Sequence, residues 1–139
     1  MRDDCTFCQM IAGNEAYVSV YEDDRALAIM DMYPINPGHM LVLPKEHVAD
    51  FYTLEPDLYS HVMDLSRELA GVLDYIYEPE KMGLLIAGFD IEHCHVHLVP
   101  MHNFHDITSK KILEGQRGNP SRLDLQDRAS EIRDVVDSG

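Results

Sequence analysis

The sequence predicts a single domain of the α+β class, and three observations support this prediction. The chain has 139 residues, of which 45% are hydrophobic, and this is enough for one hydrophobic core. From Pro56 to about Tyr77, apolar residues recur at helical spacing, which predicts one long helix. Short apolar or alternating segments on both sides of that helix predict five strands.

The first predicted element is a short helix within residues 3–13. Asp3 or Asp4 is a suitable N-cap, and Gly13 is a suitable residue to end the helix. Its apolar stripe is formed by Phe7, Met10 and Ile11.

The strand segments follow from their apolar character and from the turn residues between them. Two strands flank a turn at residues 22–25 and predict a hairpin. Residues 31–39, broken by two prolines and a glycine, form a loop before the third strand. The fourth and fifth strands are joined through a tight turn at residues 88–90, which predicts an antiparallel pair. The five predicted strands are residues 17–21, 26–30, 40–44, 82–87 and 93–100.

Two longer helices complete the prediction. In the first, Pro56 suits the opening turn and Pro79 marks the end. Its core-facing stripe consists of Leu58, Val62, Leu65, Leu69, Val72 and Ile76. Residues 114–122 predict a loop, and residues 123–136 predict a C-terminal helix. The apolar residues of that last helix are Leu125, Ala129, Ile132 and Val136.

Charge and hydropathy narrow the range of functions. The formal net charge is -14, so most of the surface repels the phosphate backbone of a nucleic acid. A small anionic substrate remains possible, since a few local donors can outweigh a distant, screened field. No segment is long and apolar enough to span a membrane, and the start of the chain does not resemble a signal peptide. We therefore predict a soluble, cytoplasmic protein without nucleic-acid or membrane partners.

Three histidines alternate near the end of the predicted sheet, at His93, His95 and His97. A strand places alternate side chains on one face, about 6.6 Å apart, so a small group over His95 could touch both neighbours. A phosphate or a metal ion suits this geometry. A zinc ion held by these three alone is disfavoured, because one continuous strand spreads the outer two rings too widely. The alternative is nucleophilic catalysis, in which the neutral ring of His95 attacks phosphorus and a neighbour handles the proton.

The cysteines suggest a second kind of site. Cys5 and Cys8 are three residues apart and share one face of the predicted first helix. They are read as half of a zinc site that needs two further ligands, or alternatively as simple reduced cysteines. Cys94 makes the count odd, which argues against a disulfide framework. His47, directly after the third strand, is either a further ligand or part of a surface turn.

Taken together, these motifs resemble the histidine triad (HIT) superfamily of nucleotidyl hydrolases and transferases, whose signature is His-φ-His-φ-His-φ-φ with φ apolar. The signature here covers residues 93–99, with cysteine as its first φ. Residues 5–13 resemble the opening helix of the family, and residues 31–47 resemble its D-x-x-P-x-x-P-G-H-x-L-V-x-P-K-x-H block. The resemblance predicts a HIT domain over residues 1–112 and a C-terminal loop and helix, 113–139, packed on the same domain.

The resemblance implies a HIT-like α+β fold with a five-stranded antiparallel sheet, commonly a homodimer. It implies that His95 is the nucleophile, which takes the α-phosphorus of a small nucleotide to form a covalent nucleotidyl-histidine. His97 contacts the phosphate and assists proton transfer, and water then releases a nucleoside monophosphate. The implied catalytic group is His93, His95, His97 and His39, in which His39 supports the histidine cluster.

Further roles are carried over by the same resemblance. Asp31 is expected to hold the ribose hydroxyls. The base pocket is expected to consist of Phe7, Ile29 and Met32. In metal-containing relatives the matching positions bind a structural zinc ion together, and here they are Cys5, Cys8, His47 and His93.

The chain departs from the common pattern in the segment before the triad. Many relatives place an Asn and a Gly-Gln pair there to bind phosphate, whereas this chain has only the short join of residues 88–92. Two functions therefore remain. The first is hydrolysis of a nucleoside phosphoramidate or a dinucleoside polyphosphate. The alternative is a low-turnover nucleotide-binding or signalling protein that keeps the HIT pocket.

Overall fold

Five antiparallel strands form one sheet in a computed structural model of the chain, which describes residues 4–107 and 119–138. The strands are β1 (Ser19–Glu22), β2 (Ala26–Met30), β3 (Met40–Pro44), β4 (Lys81–Leu85) and β5 (Val96–Met101), in the spatial order β1-β2-β3-β5-β4. The helices are α1 (Thr6–Ile11), α2 (Pro56–Tyr77) and α3 (Arg122–Ser138), with a 3-10 turn at Phe51–Thr53. The predicted α+β fold with a five-stranded antiparallel sheet is confirmed.

The sheet is covered on both faces, which explains why β2 and β3 are buried along their whole length. Because successive side chains of a strand point to opposite faces, the central strands supply two separate cores. One core packs against α2 and α3 and includes Ala28, Met30, Met40, Val42, Val96 and Leu98. The other packs against α1 and includes Leu27, Ile29, Leu41 and Leu43.

The first helix is shorter than predicted, and its N-cap differs. It begins at Thr6, and the N-cap is Cys5, whose Sγ accepts a hydrogen bond from the backbone N–H of Cys8 at 3.4 Å. The expected cap at Asp4 is therefore wrong, and Asp3 lies outside the described residues. The buried thiol takes the place of an exposed carboxylate because the chain turns inward at residue 5. Gly13 follows the C-cap with φ +86°, a left-handed conformation that ends the helix as predicted.

Two strand boundaries shift from their predicted positions. Strand β1 covers residues 19–22 instead of 17–21, with an irregular register where Ser19 and Tyr21 face β2. Strand β4 covers residues 81–85 instead of 82–87 and pairs with β5 as predicted.

The histidine strand also begins later than predicted, at Val96 instead of His93. The backbone N–H of Cys94 donates to the carbonyl of Val48 at 2.7 Å. The residues just before Val96 therefore lie against the segment that comes after β3 and are not paired in the sheet. Of the three histidines, only His97 belongs to the regular strand.

The long helix has the predicted bounds, but its buried stripe is wider than predicted. Leu73 is fully buried in addition to the expected stripe, whereas Val72 and Ile76 are half-buried. Both the sheet and α3 cover α2, and two neighbours require more than one line of apolar side chains.

The C-terminal helix is confirmed and extends slightly beyond the predicted residues 123–136. It packs against α2 and β1 through buried Leu125, Ala129 and Ile132. Residues 114–118 of the predicted loop lie outside the described residues, as does the predicted domain boundary at residue 112, which stays a prediction. Among the described residues, no helix combines the length and the apolar character needed to cross a bilayer.

The β1–β2 turn is held by the carboxylate of Asp23. One oxygen accepts from the backbone N–H groups of Arg25 and Ala26, both at 2.8 Å. The other accepts from the hydroxyl of Tyr21 at 2.9 Å and lies 2.7 Å from Nε2 of His61 on α2. The turn is therefore tied both to its own backbone and to the long helix.

These contacts predict an acid-sensitive contribution to stability. Partial burial opposes ionisation of Asp23, but the hydrogen bonds outweigh it and lower its pKa to about 2. A lowered folded pKa gives stability that is present above the unfolded value of about 3.9 and is lost as the pH falls through the folded value. We expect Asp23→Asn to lower the free energy of unfolding by about 1 to 2 kcal/mol at pH 7, after allowance for solvent screening.

Urea denaturation at several pH values measures this effect. The difference between Asp23→Asn and the parent chain should shrink between about pH 4 and pH 2. Asp24→Asn is the matched control, since Asp24 is the exposed neighbouring acid of the same turn. A difference that stays constant across that pH range would contradict the assignment.

Candidate active site and metal centre

The three histidines lie together on the face of the sheet that α1 covers. His97 stands opposite Leu41 in the β3–β5 register, and Leu41 belongs to the core beneath α1. The ring centroids of His95 and His97 are 4.9 Å apart. The ring of Phe7 on α1 contacts His95 at 4.9 Å and His93 at 5.7 Å between centroids. The alternation therefore brings the rings to one face, although two of them precede the regular strand.

A backbone carbonyl determines the tautomer of His95. Nδ1 of His95 lies 2.7 Å from the main-chain oxygen of His93 and must carry the hydrogen to donate to it. A neutral ring then has its lone pair on Nε2. His95 is only 1% exposed, and Nε2 lies 3.5 Å from Oδ1 of Asp90. A lone pair on Nε2 is the group that a nucleophilic histidine uses.

A second chain of hydrogen bonds determines the tautomer of His97. The backbone N–H of Ile35 donates to Nδ1 of His39 at 3.0 Å, so a neutral His39 carries its hydrogen on Nε2. That nitrogen lies 2.9 Å from Nδ1 of His97. His39 therefore donates to His97, and a neutral His97 keeps its own hydrogen on Nε2 as a donor.

The carboxylate of Asp31 lies beside this pair. Its Oδ2 is 3.3 Å from Nε2 of His39 and 3.9 Å from Nδ1 of His97. These three groups are close enough together to hold a metal ion. However, a neutral His39 that accepts from Ile35 at Nδ1 has no lone pair left on Nε2 for a cation. The trio is therefore better described as a hydrogen-bonded relay than as a metal site.

The loop that carries Asp31 and His39 is anchored by a buried polar contact that the sequence analysis missed. The side-chain amide of Asn36 donates to the carbonyl of Pro100 and to the carboxylate of Asp106, both at 2.8 Å. Asp106 is buried and also accepts from the backbone N–H of His102. The two residues are 70 positions apart and follow no periodic pattern, so no local sequence signal links them.

Gly38 gives a prediction for this same loop. Its φ is +93°, and a Cβ at this position would lie 2.6 Å from the ring of Tyr77. We expect Gly38→Ala to lower the free energy of unfolding by about 1 to 3 kcal/mol, because the left-handed backbone and the ring contact both oppose a side chain. Gly71→Ala within α2 is the matched control, since a Cβ there meets nothing within 4 Å. It should be neutral or stabilise by up to about 1 kcal/mol, and an equal loss in both variants by thermal denaturation would contradict the prediction.

A separate cluster joins both cysteines of α1 with two histidines. Nδ1 of His93 lies 3.4 Å from Sγ of Cys5 and 3.6 Å from Sγ of Cys8. Nδ1 of His47 lies 3.2 Å from Sγ of Cys8. Nitrogen and sulfur ligands of a tetrahedral zinc ion are about 3.5 Å apart. The four residues expected from the CxxC motif and the family block therefore lie at ligand spacing, with all ligand atoms within 4.8 Å of one another.

The hydrogen bonds around this cluster also suit a metal. Nε2 of His93 lies 2.7 Å from the carbonyl oxygen of Pro44, so it carries the hydrogen and leaves a lone pair on Nδ1 toward the cysteines. Burial lowers the pKa of His93, which keeps the ring neutral as a metal ligand must be. Burial raises the pKa of the Cys5 thiol, so a cation has to displace a proton there. Two sulfur and two nitrogen donors form a set typical of structural zinc.

Of the residues expected to bind the nucleotide, Phe7 and Asp31 lie beside the histidines, whereas Met32 packs against the core that contacts α2. Phe7 and Ile29 are each only 2% exposed and belong to the core beneath α1. Asp31 is also buried, and Met32 is half-buried. Phe7 contacts His95 and Asp31 lies 3.9 Å from His97, while the individual roles of all four residues stay predictions.

Asp90 is the site residue that sequence reasoning did not single out. It lies in the short join before the triad, and its contact with His95, which is a hydrogen bond only when Nε2 also carries a proton, holds the pKa of its carboxyl well below the usual range. With Asp4 and Glu92 it lines a cleft of about 230 Å³ that Cys5 and His47 also border. The acidic character of the short join before the triad was the available signal.

Comparison with known proteins agrees with this geometry. The HIT domain family model matches residues 13–104. The protein hit of Bacillus subtilis is 31% identical over 103 residues, which cover 70% of this chain and 72% of that protein. Adenylylsulfatase HINT3 of Arabidopsis thaliana is 29% identical over 105 residues, or 72% of this chain and 53% of that protein.

A solved structure supports the same conclusion for the fold. The crystal structure of a zinc-bound histidine triad family protein from Mycobacterium smegmatis superposes with a TM-score of 0.77 at 23% identity. The superposition covers 97% of this chain and 94% of that one. The family match extends over the strands and loops that carry the three histidines, and the chain therefore belongs to the HIT domain family.

Proposed function

We propose that the chain is a nucleotidyl hydrolase that cleaves a nucleoside phosphoramidate or a dinucleoside polyphosphate at the α-phosphorus. The observation that carries the proposal is the hydrogen bond from Nδ1 of His95 to the carbonyl of His93, which leaves the lone pair on Nε2. Phosphoryl transfer depends mainly on a positioned nucleophile and on donors for the phosphate oxygens. His95 supplies the first and His97 the second.

In the first step, Nε2 of His95 attacks the α-phosphorus. A nitrogen–phosphorus bond forms while the bond from phosphorus to the leaving nitrogen or oxygen breaks. The leaving group departs with that electron pair, and a leaving nitrogen takes up one proton from water. His97 assists by donating its Nε2 hydrogen toward the phosphate or the leaving atom, and the contact from His39 holds its ring in position. The product of this step is a nucleotidyl-histidine.

In the second step, water attacks phosphorus and the bond to His95 breaks. The electron pair returns to Nε2, one proton of the water is released, and a nucleoside monophosphate leaves. Asp31 is proposed to hold the ribose hydroxyls, because its carboxylate lies beside His39 and His97. The proposed base pocket consists of Phe7, Ile29 and Met32.

The cysteine and histidine cluster is proposed to hold a structural zinc ion. Its ligands are Cys5, Cys8, His47 and His93. When bound, the ion ties the start of α1 to the chain after β3 and to the first triad histidine. A similar protein from Mycobacterium smegmatis is zinc-bound, which supports this proposal, and the set of sulfur and nitrogen donors is typical of structural zinc.

The enzyme proposal has further support and one alternative. One relative is named for adenylylsulfatase activity, so hydrolysis occurs among proteins similar to this chain. The alternative is a nucleotide-binding or signalling protein with little turnover. The carboxylate of Asp90 near His95 favours low turnover, because an anion 3.5 Å from Nε2 hinders the approach of the α-phosphorus to the attacking nitrogen.

The remaining parts of the proposal concern partners and location. We propose a small nucleotide as ligand, a homodimer as the assembled form, and the cytoplasm as the location. The net charge of -14 supports a chain that does not bind nucleic acid.

Phosphorus NMR of nucleoside monophosphate release tests the proposal. Adenosine phosphoramidate and a diadenosine polyphosphate are incubated with the protein, and the appearance of AMP is followed over time. Catalytic release that requires His95 supports the hydrolase. Binding of AMP without release from either substrate favours the alternative.

A further inference from the structure

We propose that Asp90 acts as an internal competitor for the phosphate group of the nucleotide and so weakens the binding of the nucleoside monophosphate. This inference rests on the proposed function and adds a residue that selects ligands by charge. It begins from one contact: Oδ1 of Asp90 lies 3.5 Å from Nε2 of His95.

The carboxylate oxygen of Asp90 lies in the region from which a phosphate would approach His95. A phosphorus atom ready for attack must come to about 3 to 3.5 Å from the nucleophilic nitrogen. The carboxylate oxygen of Asp90 already occupies a point at that distance from Nε2. A nucleotide phosphate and the Asp90 carboxylate therefore compete for the same region.

The side chains of His95 and Asp90 differ in their exposure to solvent. His95 is 1% exposed, whereas the side chain of Asp90 is 61% exposed. The competing group thus lies on the solvent side of an otherwise buried nucleophile and can move without disturbing the core. Gly88 begins this join with φ +80°, and the side chain of Phe89 is 99% exposed. Oδ1 of Asp90 also accepts from the backbone N–H of Ile91 at 2.9 Å, a local hydrogen bond within the join.

The negative charge of Asp90 also repels a phosphate group. Two negative groups a few ångströms apart repel each other most strongly where water is partly excluded. The whole chain has a net charge of -14, so no excess of positive charge offsets this repulsion. A bound phosphate must therefore displace Asp90 or remain close to it. Either event costs affinity for a charged ligand and leaves an uncharged one unaffected.

Isothermal titration calorimetry at 0.15 M salt tests this inference with AMP and with adenosine, on protein purified without chelator. We expect Asp90→Asn to bind AMP about tenfold more tightly than the parent chain, with adenosine affinity changed less than about twofold. Asp90→Ala should act in the same direction, because it removes the same charge. Glu92→Gln is the matched control from the same join and should change AMP affinity less than about twofold, since an exposed acid without the His95 contact is screened.

The possible outcomes separate this inference from the proposed function. If the parent chain binds AMP and Asp90→Asn changes its affinity no more than Glu92→Gln does, the competitor role is wrong and the proposed function stands. Weaker AMP binding, or equal tightening for AMP and adenosine, also overturns the competitor role. If the parent chain and all variants bind neither ligand, the proposed function fails and this inference fails with it.

Discussion

Replacing His95 by alanine is expected to reduce AMP release from either substrate by at least about 1,000-fold, because no other group takes the place of the nucleophile. The ring is buried between Phe7 and His97, so the substitution also leaves a cavity. Release must therefore be compared at a temperature at which circular dichroism shows both proteins folded. Phosphorus NMR of AMP formation gives the rate.

A histidine outside the site provides the control for this experiment. His102→Ala removes an exposed histidine that follows β5, and it should leave the rate within about twofold of the parent chain. Retained release in His95→Ala would show that the attacking group is not this imidazole. Trapping of a phosphorus-labelled protein that is acid-labile in the parent chain and absent in His95→Ala would support the covalent intermediate directly.

Replacing Cys5 by alanine is expected to remove the metal and to cost about 3 to 5 kcal/mol of unfolding free energy. A structural zinc site with one of four ligands missing binds far more weakly, and the start of α1 loses both its N-cap and its link to His93. Elemental analysis of chelator-free protein should give about one zinc per chain in the parent protein and close to none in the variant.

Cys94→Ala is the matched control for this experiment. Cys94 is also a buried cysteine, but it lies in the core against α2 and outside the cluster. It should keep its zinc and lose only about 1 kcal/mol from the missing sulfur. A chelator should lower the melting temperature of the parent chain and of Cys94→Ala, but not that of Cys5→Ala. Full zinc content in Cys5→Ala would contradict the proposed ligand set.

Local patterns in the sequence were sufficient to predict most of the fold. The bounds of α2 follow from Pro56 at its start and from the apolar stripe, both of which are local properties. Strands β2 and β3 follow from short apolar runs between turn residues. The chain after β3 shows where this reasoning stops, because a long-range hydrogen bond between Cys94 and Val48 delays the start of β5.

The sequence also identified most of the residues of the candidate site. Spacing identified the three histidines and the two cysteines as half of a metal site, and the family resemblance supplied His47 and His93 as the remaining ligands. The contact of Asp90 with His95 and that of Asn36 with Asp106 were not predictable in the same way. Each depends on how the backbone of a loop folds back in space, which a residue type alone does not specify.

The proton positions in the site are held mainly by the peptide backbone. The partner of His95 is the carbonyl of residue 93, the partner of His93 is the carbonyl of Pro44, and the partner of His39 is the N–H of Ile35. Every amino acid supplies a main-chain carbonyl, and every one except proline supplies an amide hydrogen. Evolution can therefore exchange the side chains at positions 35 and 44 widely while each imidazole keeps its hydrogen on the same nitrogen. Only a displacement of the main chain, or a proline at position 35, would move these hydrogens to the other ring nitrogen.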